Sequence, residues 1–356
     1  MLNEQSLAFL KRLLDTPGPS GFESAPARVW REEAGRFASV RGDVAGNSIA
    51  EVNPDGAPTI MLAGHIDEIG IIVTYVDDDG FVYVSPIGGW DPQVLVGQRV
   101  RIAGHDGDVF GVVGKKPIHL IKPEEREKAT KFTDLWVDIG AASRAEAEGL
   151  VGVGDAGVLD ARALEMPNGR LVSRSIDDRI GAWVVLEALR RYAERPGAAH
   201  VVAVATVQEE IAYRHGGGAG ICATCLGPQM ALVVDVTFST DHPGLEKKEL
   251  GDHRLGSGPV LARGSVISPV VFRLLRDTAK AKDIAYTVQA AGRDTSTDAD
   301  AIHAAREGVA TGLVSVPNRY MHSPNEMVSL ADLDAAAELL AETCRAVTKE
   351  TDFTAR

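Results

Sequence analysis

The sequence has no cluster of basic residues, few cysteines and no long apolar run, and each absence removes a class of protein. Lysine and arginine total 37 against 50 aspartates and glutamates, for a formal net charge of -13. An acidic chain without a basic stripe is a poor match for nucleic acid or an anionic membrane. No apolar run reaches the roughly 20 residues that cross a bilayer. The segment Met1-Leu-Asn-Glu-Gln lacks the basic and apolar regions of a signal peptide, so a cytoplasmic location is expected. Three cysteines, Cys222, Cys225 and Cys344, are too few for a disulfide scaffold. Cys222 and Cys225 form a lone CxxC with no second ligand pair nearby, so both read as small buried hydrophobes. No internal repeat or low-complexity tract is evident.

What is present is a soluble-type composition, 45% apolar, over 356 residues. That length exceeds one compact core, so a large domain plus a second unit is expected. Residues 201–207, Val-Val-Ala-Val-Ala-Thr-Val, read as a strand buried on both faces, and they stop at the paired carboxylates Glu209 and Glu210. Other runs repeat the pattern. Residues 59–63 lead into Gly64-His65-Ile-Asp67-Glu68, residues 230–234 end in Asp235, and residues 313–316 precede His322. Helices are expected near residues 5–14, 25–36 with Ser24 as cap, 180–192, 221–226, 270–281 and 330–347. Strands alternating with helices argue for an α/β fold with a mostly parallel sheet flanked by helices. Residues 69–164 differ. Short alternating strands separated by tight turns predict a small β-barrel there, inserted between catalytic segments 1–68 and 165–356.

In such a sheet the loops beyond the carboxyl ends of the strands line one crevice. His65, Glu209, Glu210, Asp235 and His322 each lie a short way past a strand, and Asp177 lies just before a helix. Each has an ordinary structural explanation alone; Asp-Asp before a helix, for example, is a common cap. Together they form a carboxylate–imidazole set suited to zinc, manganese or cobalt. Six donors exceed one tetrahedral site and suit two ions about 3.5–4 Å apart, with Asp177 as the candidate bridge. Asp178 is expected to cap its helix or pair with Arg179. Asp67 stands where it can hold the second nitrogen of His65. One of the two glutamates would ligate metal and the other would act as general base. His105, His119, His200, His242, His253 and His303 read as structural. His215 is a candidate to face the substrate. Gly216 to Gly220 lacks the Lys-Ser/Thr of a phosphate-binding loop.

Several segments resemble the M42 family of metallo-aminopeptidases, which includes tetrahedral (TET) and deblocking aminopeptidases. They are Pro17-Gly-Pro-Ser-Gly-Phe-Glu23, Ala63-Gly-His-Ile-Asp-Glu-Ile-Gly70, Ser175-Ile-Asp-Asp-Arg179, Val207-Gln-Glu-Glu210, Val234-Asp-Val236 and Arg319-Tyr-Met-His-Ser-Pro324. Ile87-Gly-Gly-Trp90, Gly111-Val-Val-Gly-Lys-Lys-Pro117 and Asp138-Ile-Gly140 extend the resemblance into the insert. The resemblance implies an aminopeptidase acting on short peptides, a barrel used in assembly, and two zinc or cobalt ions per subunit. It implies His65, Asp177 and Asp235 on one ion, and Asp177, Glu210 and His322 on the other. It implies Glu209 as the base acting on a bridging water, Asp67 as the residue orienting His65, and a homo-oligomer, commonly a dodecamer. Two stretches depart from the family's usual pattern, Ile211-Ala-Tyr-Arg-His-Gly216 and residues 291–299, and both bear on substrate preference. The alternatives are a metal-dependent deacylase of amino-acid conjugates, the glycanase label that some relatives carry, and a non-catalytic assembly protein.

Overall fold

The computed structural model describes residues 2–212 and 215–355. Its centre is an eight-stranded sheet. Four middle strands are parallel neighbours in the order His200–Thr206, Thr59–His65, Met230–Phe238 and Ala310–Asn318. Ser48–Val52 and Ser39–Gly42 extend one side antiparallel. On the other side Val260–Arg263 pairs antiparallel with Ala310–Asn318, and Thr287–Ala290 runs parallel to Val260–Arg263. The middle strands are buried almost throughout, which is why they read as unbroken apolar runs rather than alternating ones.

The helix Ile176–Glu194 packs on three of the parallel strands, and Leu330–Ala346 packs on that helix. Trp30 and Trp183 tie the N-terminal helices Glu4–Asp15 and Ser24–Ala34 to this layer. Both indoles are fully buried, and their N–H groups donate to the carbonyls of Ala182 (2.8 Å) and Ser6 (3.2 Å). The core therefore keeps these two polar atoms satisfied.

The insert is a closed six-stranded barrel with its own apolar cluster around Val73, Val82, Val100, Val137 and Leu159. Five of its strands, Gly70–Val76, Val82–Ile87, Arg99–Gly104, Gly107–Lys115 and Leu135–Asp138, lie in the stretch where alternation predicts a barrel. The sixth, Ala156–Leu159, closes the barrel against Gly70–Val76 and Arg99–Gly104. It is four residues long and contains Gly157, too short for a periodic signal. Val260–Arg263 and the three-stranded sheet of Leu164–Met166, Arg170–Ser173 and Glu326–Ser329 were hidden for the same reason.

Three expectations need correction. Ser24 does not cap its helix: Glu23 holds the cap position, and no side chain caps there. The strand carrying Asp235 does not end at Val234 but runs to Phe238, because pairing with Ala310–Asn318 continues through Asp235↔Ser315 to Phe238↔Asn318. Cys225 is exposed, whereas Cys222 is buried. On helix Gly217–Leu226 the buried face carries Cys222 and Ala223, and Cys225 turns away from it. Among the described residues no helix is long and apolar enough to cross a membrane.

Candidate active site

At the carboxyl ends of the parallel strands, side chains more than 250 positions apart meet. His65 is the last residue of its strand, and Glu209 and Glu210 open a short helix just past Thr206, which is opposite His65 in the parallel register. Asp235 points from inside the neighbouring strand. His322 follows the end of Ala310–Asn318. Asp177 comes from the start of Ile176–Glu194.

Two ligand groups form, His65–Asp177–Asp235 and Asp177–Glu210–His322, with donor atoms within 4.8 Å of one another in each. Asp177 belongs to both. Its Oδ1 lies 3.2 Å from His65 Nε2, and its Oδ2 lies 3.3 Å from His322 Nε2. His322 Nε2 is also 3.4 Å from Glu210 Oε1. Two donors on a tetrahedral ion with bonds of about 2.0–2.1 Å stand roughly 3.3 Å apart, so these spacings fit zinc-type coordination. Both imidazoles present Nε2 to the centre because Nδ1 is occupied. His65 Nδ1 is 3.2 Å from the main-chain oxygen of Asp67 and 3.5 Å from its Oδ1. His322 Nδ1 donates to the carbonyl of Gly89 at 2.7 Å, an acceptor supplied by the barrel. Such second partners fix the tautomer that leaves the other nitrogen free to ligate.

The charge balance of the cage also calls for cations. Burial pushes the Glu209 carboxyl well above its ordinary value, and Asp235, Asp298 and Glu210 add to that against the pull of His65. Burial and then Asp177 do the same to Asp235. Burial opposes charge on His322, yet Asp177 and Glu210 overcome it and push its imidazole up to about 12. Among the described residues Oε1 of Glu209 is buried and makes no hydrogen bond, and the buried Oε1 of Glu210 has only the 3.4 Å approach of His322 Nε2. Crowded buried carboxylates with an unpaired oxygen are the donor set that a divalent cation would neutralise.

A cavity of about 680 Å³ opens onto this cage. Its wall includes Phe238, Leu250, Leu313 and Met321, with Gln289 bonded to Thr237 at 2.9 Å and the loop 291–297 along one side. His215 is exposed and does not line the cavity. Tyr213 and Arg214, in the divergent segment after Glu210, lie outside the described residues. The other six histidines stay away from the cage; His253 bonds Thr287 at 2.7 Å, and His200 lies 2.9 Å from Glu51.

Several supporting residues escaped the sequence reading. Glu326 accepts from the amides of Asp177 (3.0 Å) and His322 (2.9 Å), so one carboxylate aligns a residue from each ligand group. Asp178 does not pair with Arg179. It accepts from the amides of His65 (3.2 Å) and Gly181 (3.1 Å), capping its helix while holding a ligand's main chain. Arg179 instead pairs with Glu68 at 2.9 Å and donates to the carbonyl of Ile66, also 2.9 Å away. Asp67 has a wider reach than expected: its Oδ1 and Oδ2 accept from the amides of Glu209 (3.2 Å) and Glu210 (3.1 Å). A spacing rule could not have found these bonds, because most of them end on main-chain amides.

An α/β sheet with a carboxylate–imidazole cage at its carboxyl edge and an inserted barrel defines a metal-dependent hydrolase. The family model described as M42 glutamyl aminopeptidase matches residues 46–339, and the chain belongs to that family. It is 35% identical over 353 residues to the lysyl aminopeptidase of Pyrococcus furiosus, covering 97% of this chain and 98% of that one. It superposes with a TM-score of 0.91 on the TET aminopeptidase of Thaumarchaeota archaeon SCGC AB-539-E09, at 33% identity and 97% coverage of each chain. The TET1 peptidase of Pyrococcus horikoshii, described as assembling into a tetrahedron or a large octahedral shell, superposes with a TM-score of 0.85 at 29% identity, covering 96% of this chain and 100% of that one. The chain is therefore a peptide hydrolase of the aminopeptidase type, and the non-catalytic reading falls away. Membership implies a divalent-metal site, and the two ligand groups are the residues that fit one.

Proposed function

We propose that the protein removes N-terminal residues from short peptides at a two-metal centre held by His65, Asp177, Glu210, Asp235 and His322, with Glu209 as the base. The observation that carries the reading is Asp177, whose two oxygens face two imidazoles on opposite sides at 3.2 and 3.3 Å. Two divalent ions in these groups, zinc or cobalt as the family resemblance implies, would supply Lewis acidity and would lower the pKa of water to near neutrality. The remaining work belongs to the chain. His65, Asp177, Glu209 and Asp235 are buried, and the cavity that opens onto them receives the N-terminus of the peptide. Glu209 belongs to neither ligand group, and its Oε1 is unclaimed. It takes a proton from the attacking water and returns it to the departing amine. The apolar wall of Phe238, Leu250 and Leu313 receives the side chain of the residue released. Homo-oligomeric assembly, in the manner of the TET relatives, is part of the same proposal. A dodecamer is the expected form, with the barrel as its contact unit.

The test is a panel of aminoacyl-p-nitroanilides with added Zn²⁺ or Co²⁺, run beside the same compounds carrying an N-acetyl group. Turnover of the free-amine members alone, abolished by a chelator, is the expected result. Equal turnover of the acetylated members would move the reading to amide deacylation.

A further inference from the structure

We infer that Glu23 is a positioning residue for Glu209, acting through the main chain of Gln208. The inference rests on the proposed function, which makes Glu209 the base. Glu23 closes the loop Pro17-Gly-Pro-Ser-Gly-Phe-Glu and is buried. One of its oxygens, Oε1, accepts two main-chain N–H groups. The amide of Gly21, at 2.7 Å, folds the loop on itself. The amide of Gln208, at 3.1 Å, lies 185 positions away, in the turn between the strand His200–Thr206 and the helix that begins at Glu209.

That turn needs holding. Gln208 has φ of 62°, in the left-handed region that side chains seldom adopt, and such a residue persists when its surroundings over-determine it. Four successive amides here are each taken by a side chain. Asn47 accepts from Val207 (3.1 Å), Glu23 from Gln208, and Asp67 from Glu209 (3.2 Å) and Glu210 (3.1 Å). Among the described residues the carboxylate of Glu209 itself has little to aim it: Oε1 makes no hydrogen bond, and the closest cationic partner of Oε2 is His65 Nε2 at 3.8 Å. Its placement therefore follows from its main chain. Removing the Glu23 acceptor frees the residue immediately before it, and a misplacement of about 1 Å costs on the order of a hundredfold in rate.

Both bonds go to one oxygen, so a side-chain amide can keep them. The experiment compares wild type, Glu23→Gln and Glu23→Ala, each loaded with Zn²⁺. The readouts are metal content, steady-state kinetics on the best p-nitroanilide of the panel, and hydrogen–deuterium exchange of the peptide spanning 207–212. Glu23→Ala is expected to lower kcat by about 10- to 100-fold, to leave KM within about twofold, to retain its metal and to exchange faster at 207–212. Glu23→Gln is expected to match wild type in all four. A Glu23→Ala protein with wild-type kcat and exchange overturns the inference, as does a Glu23→Gln protein that falls as far as Glu23→Ala. If Glu23→Ala does not fold, Glu23→Asp, one methylene too short to reach Gln208, takes its place with the same expected results. If wild type turns over no member of the panel, the proposed function fails. The exchange measurement then decides the positioning role alone, since it needs no substrate.

Discussion

His322 donates from Nδ1 to the carbonyl oxygen of Gly89, 2.7 Å away, and so one residue of the candidate metal cage is aimed by the turn that follows a barrel strand. Trp90 fixes that turn by donating from its indole to the carbonyl of Gly70 at 2.8 Å. A Cβ on Gly89 would sit 3.3 Å from His322 Nδ1 and 3.5 Å from its Cε1, close enough to displace the ring by a few tenths of an ångström. Only the group Asp177–Glu210–His322 uses that ring. Gly89→Ala is therefore expected to weaken one metal ion by about 10- to 100-fold and spare the other. Titration with Co²⁺ followed by absorbance checks this, and two equally weakened sites would refute it.

Glu209→Gln keeps the side chain's volume and removes its capacity to hold a proton. Because Glu209 lies outside both ligand groups, two equivalents of metal should remain by elemental analysis. The value of kcat should fall by about 10²- to 10⁴-fold. Retained turnover in that metal-replete variant would falsify the role of base.

The candidate cage residues other than Asp177 were legible in the sequence because each lies at or shortly past the end of an apolar run. A parallel sheet gathers such residues at one edge whatever their spacing along the chain. The barrel was legible from its alternation and turns. What stayed hidden acts through amides and ion pairs. Glu23 and Glu326 look like solvated loop acids until the fold brings amides from distant residues against them. Glu68 sits inside the same motif as His65 and Asp67, yet nothing in the motif says that it points away from the cage.

Glu68 gives a stability prediction. Its carboxylate is buried between the guanidinium groups of Arg174 and Arg179, which are themselves almost fully buried. Removing one partner of a buried ion pair leaves an uncompensated charge and costs about 3–5 kcal/mol. Glu68→Ala should therefore lower the denaturant midpoint substantially, with m unchanged. A loss below about 1 kcal/mol would mean that water reaches these arginines.

Glu23 adds a pH dependence. Burial, reinforced by Asp67, pushes its carboxyl from 4.5 up to about 7, so between these values the folded state holds a proton that the unfolded chain does not. Stability from this group is full below the unfolded value and is lost as pH rises through the folded one. Wild type should thus lose on the order of 2–3 kcal/mol relative to Glu23→Gln between pH 4.5 and 7. Urea melts of the two proteins across that range measure it, and parallel curves would contradict the shift.

Substrate preference is the last quantity the cavity bears on. Outside the cage and among the described residues its charged lining residues are Arg293 and Asp294, adjacent in a loop, and the rest of the described wall away from that loop is largely apolar. Arg293 is exposed at this wall. A charge there acts on the released residue's side chain through partly aqueous surroundings, at roughly 1 kcal/mol or less per unit charge. Arg293→Glu reverses that charge, which is a change of two units. The ratio of kcat/KM for glutamyl over lysyl p-nitroanilide should fall, by up to roughly a thousandfold, while the leucyl substrate changes little. The shift should shrink as salt is raised, because an exposed charge is screened within about 10 Å at 0.1 M. A ratio indifferent to both the substitution and the salt would place Arg293 away from the bound side chain and leave recognition to Phe238, Leu250 and Leu313.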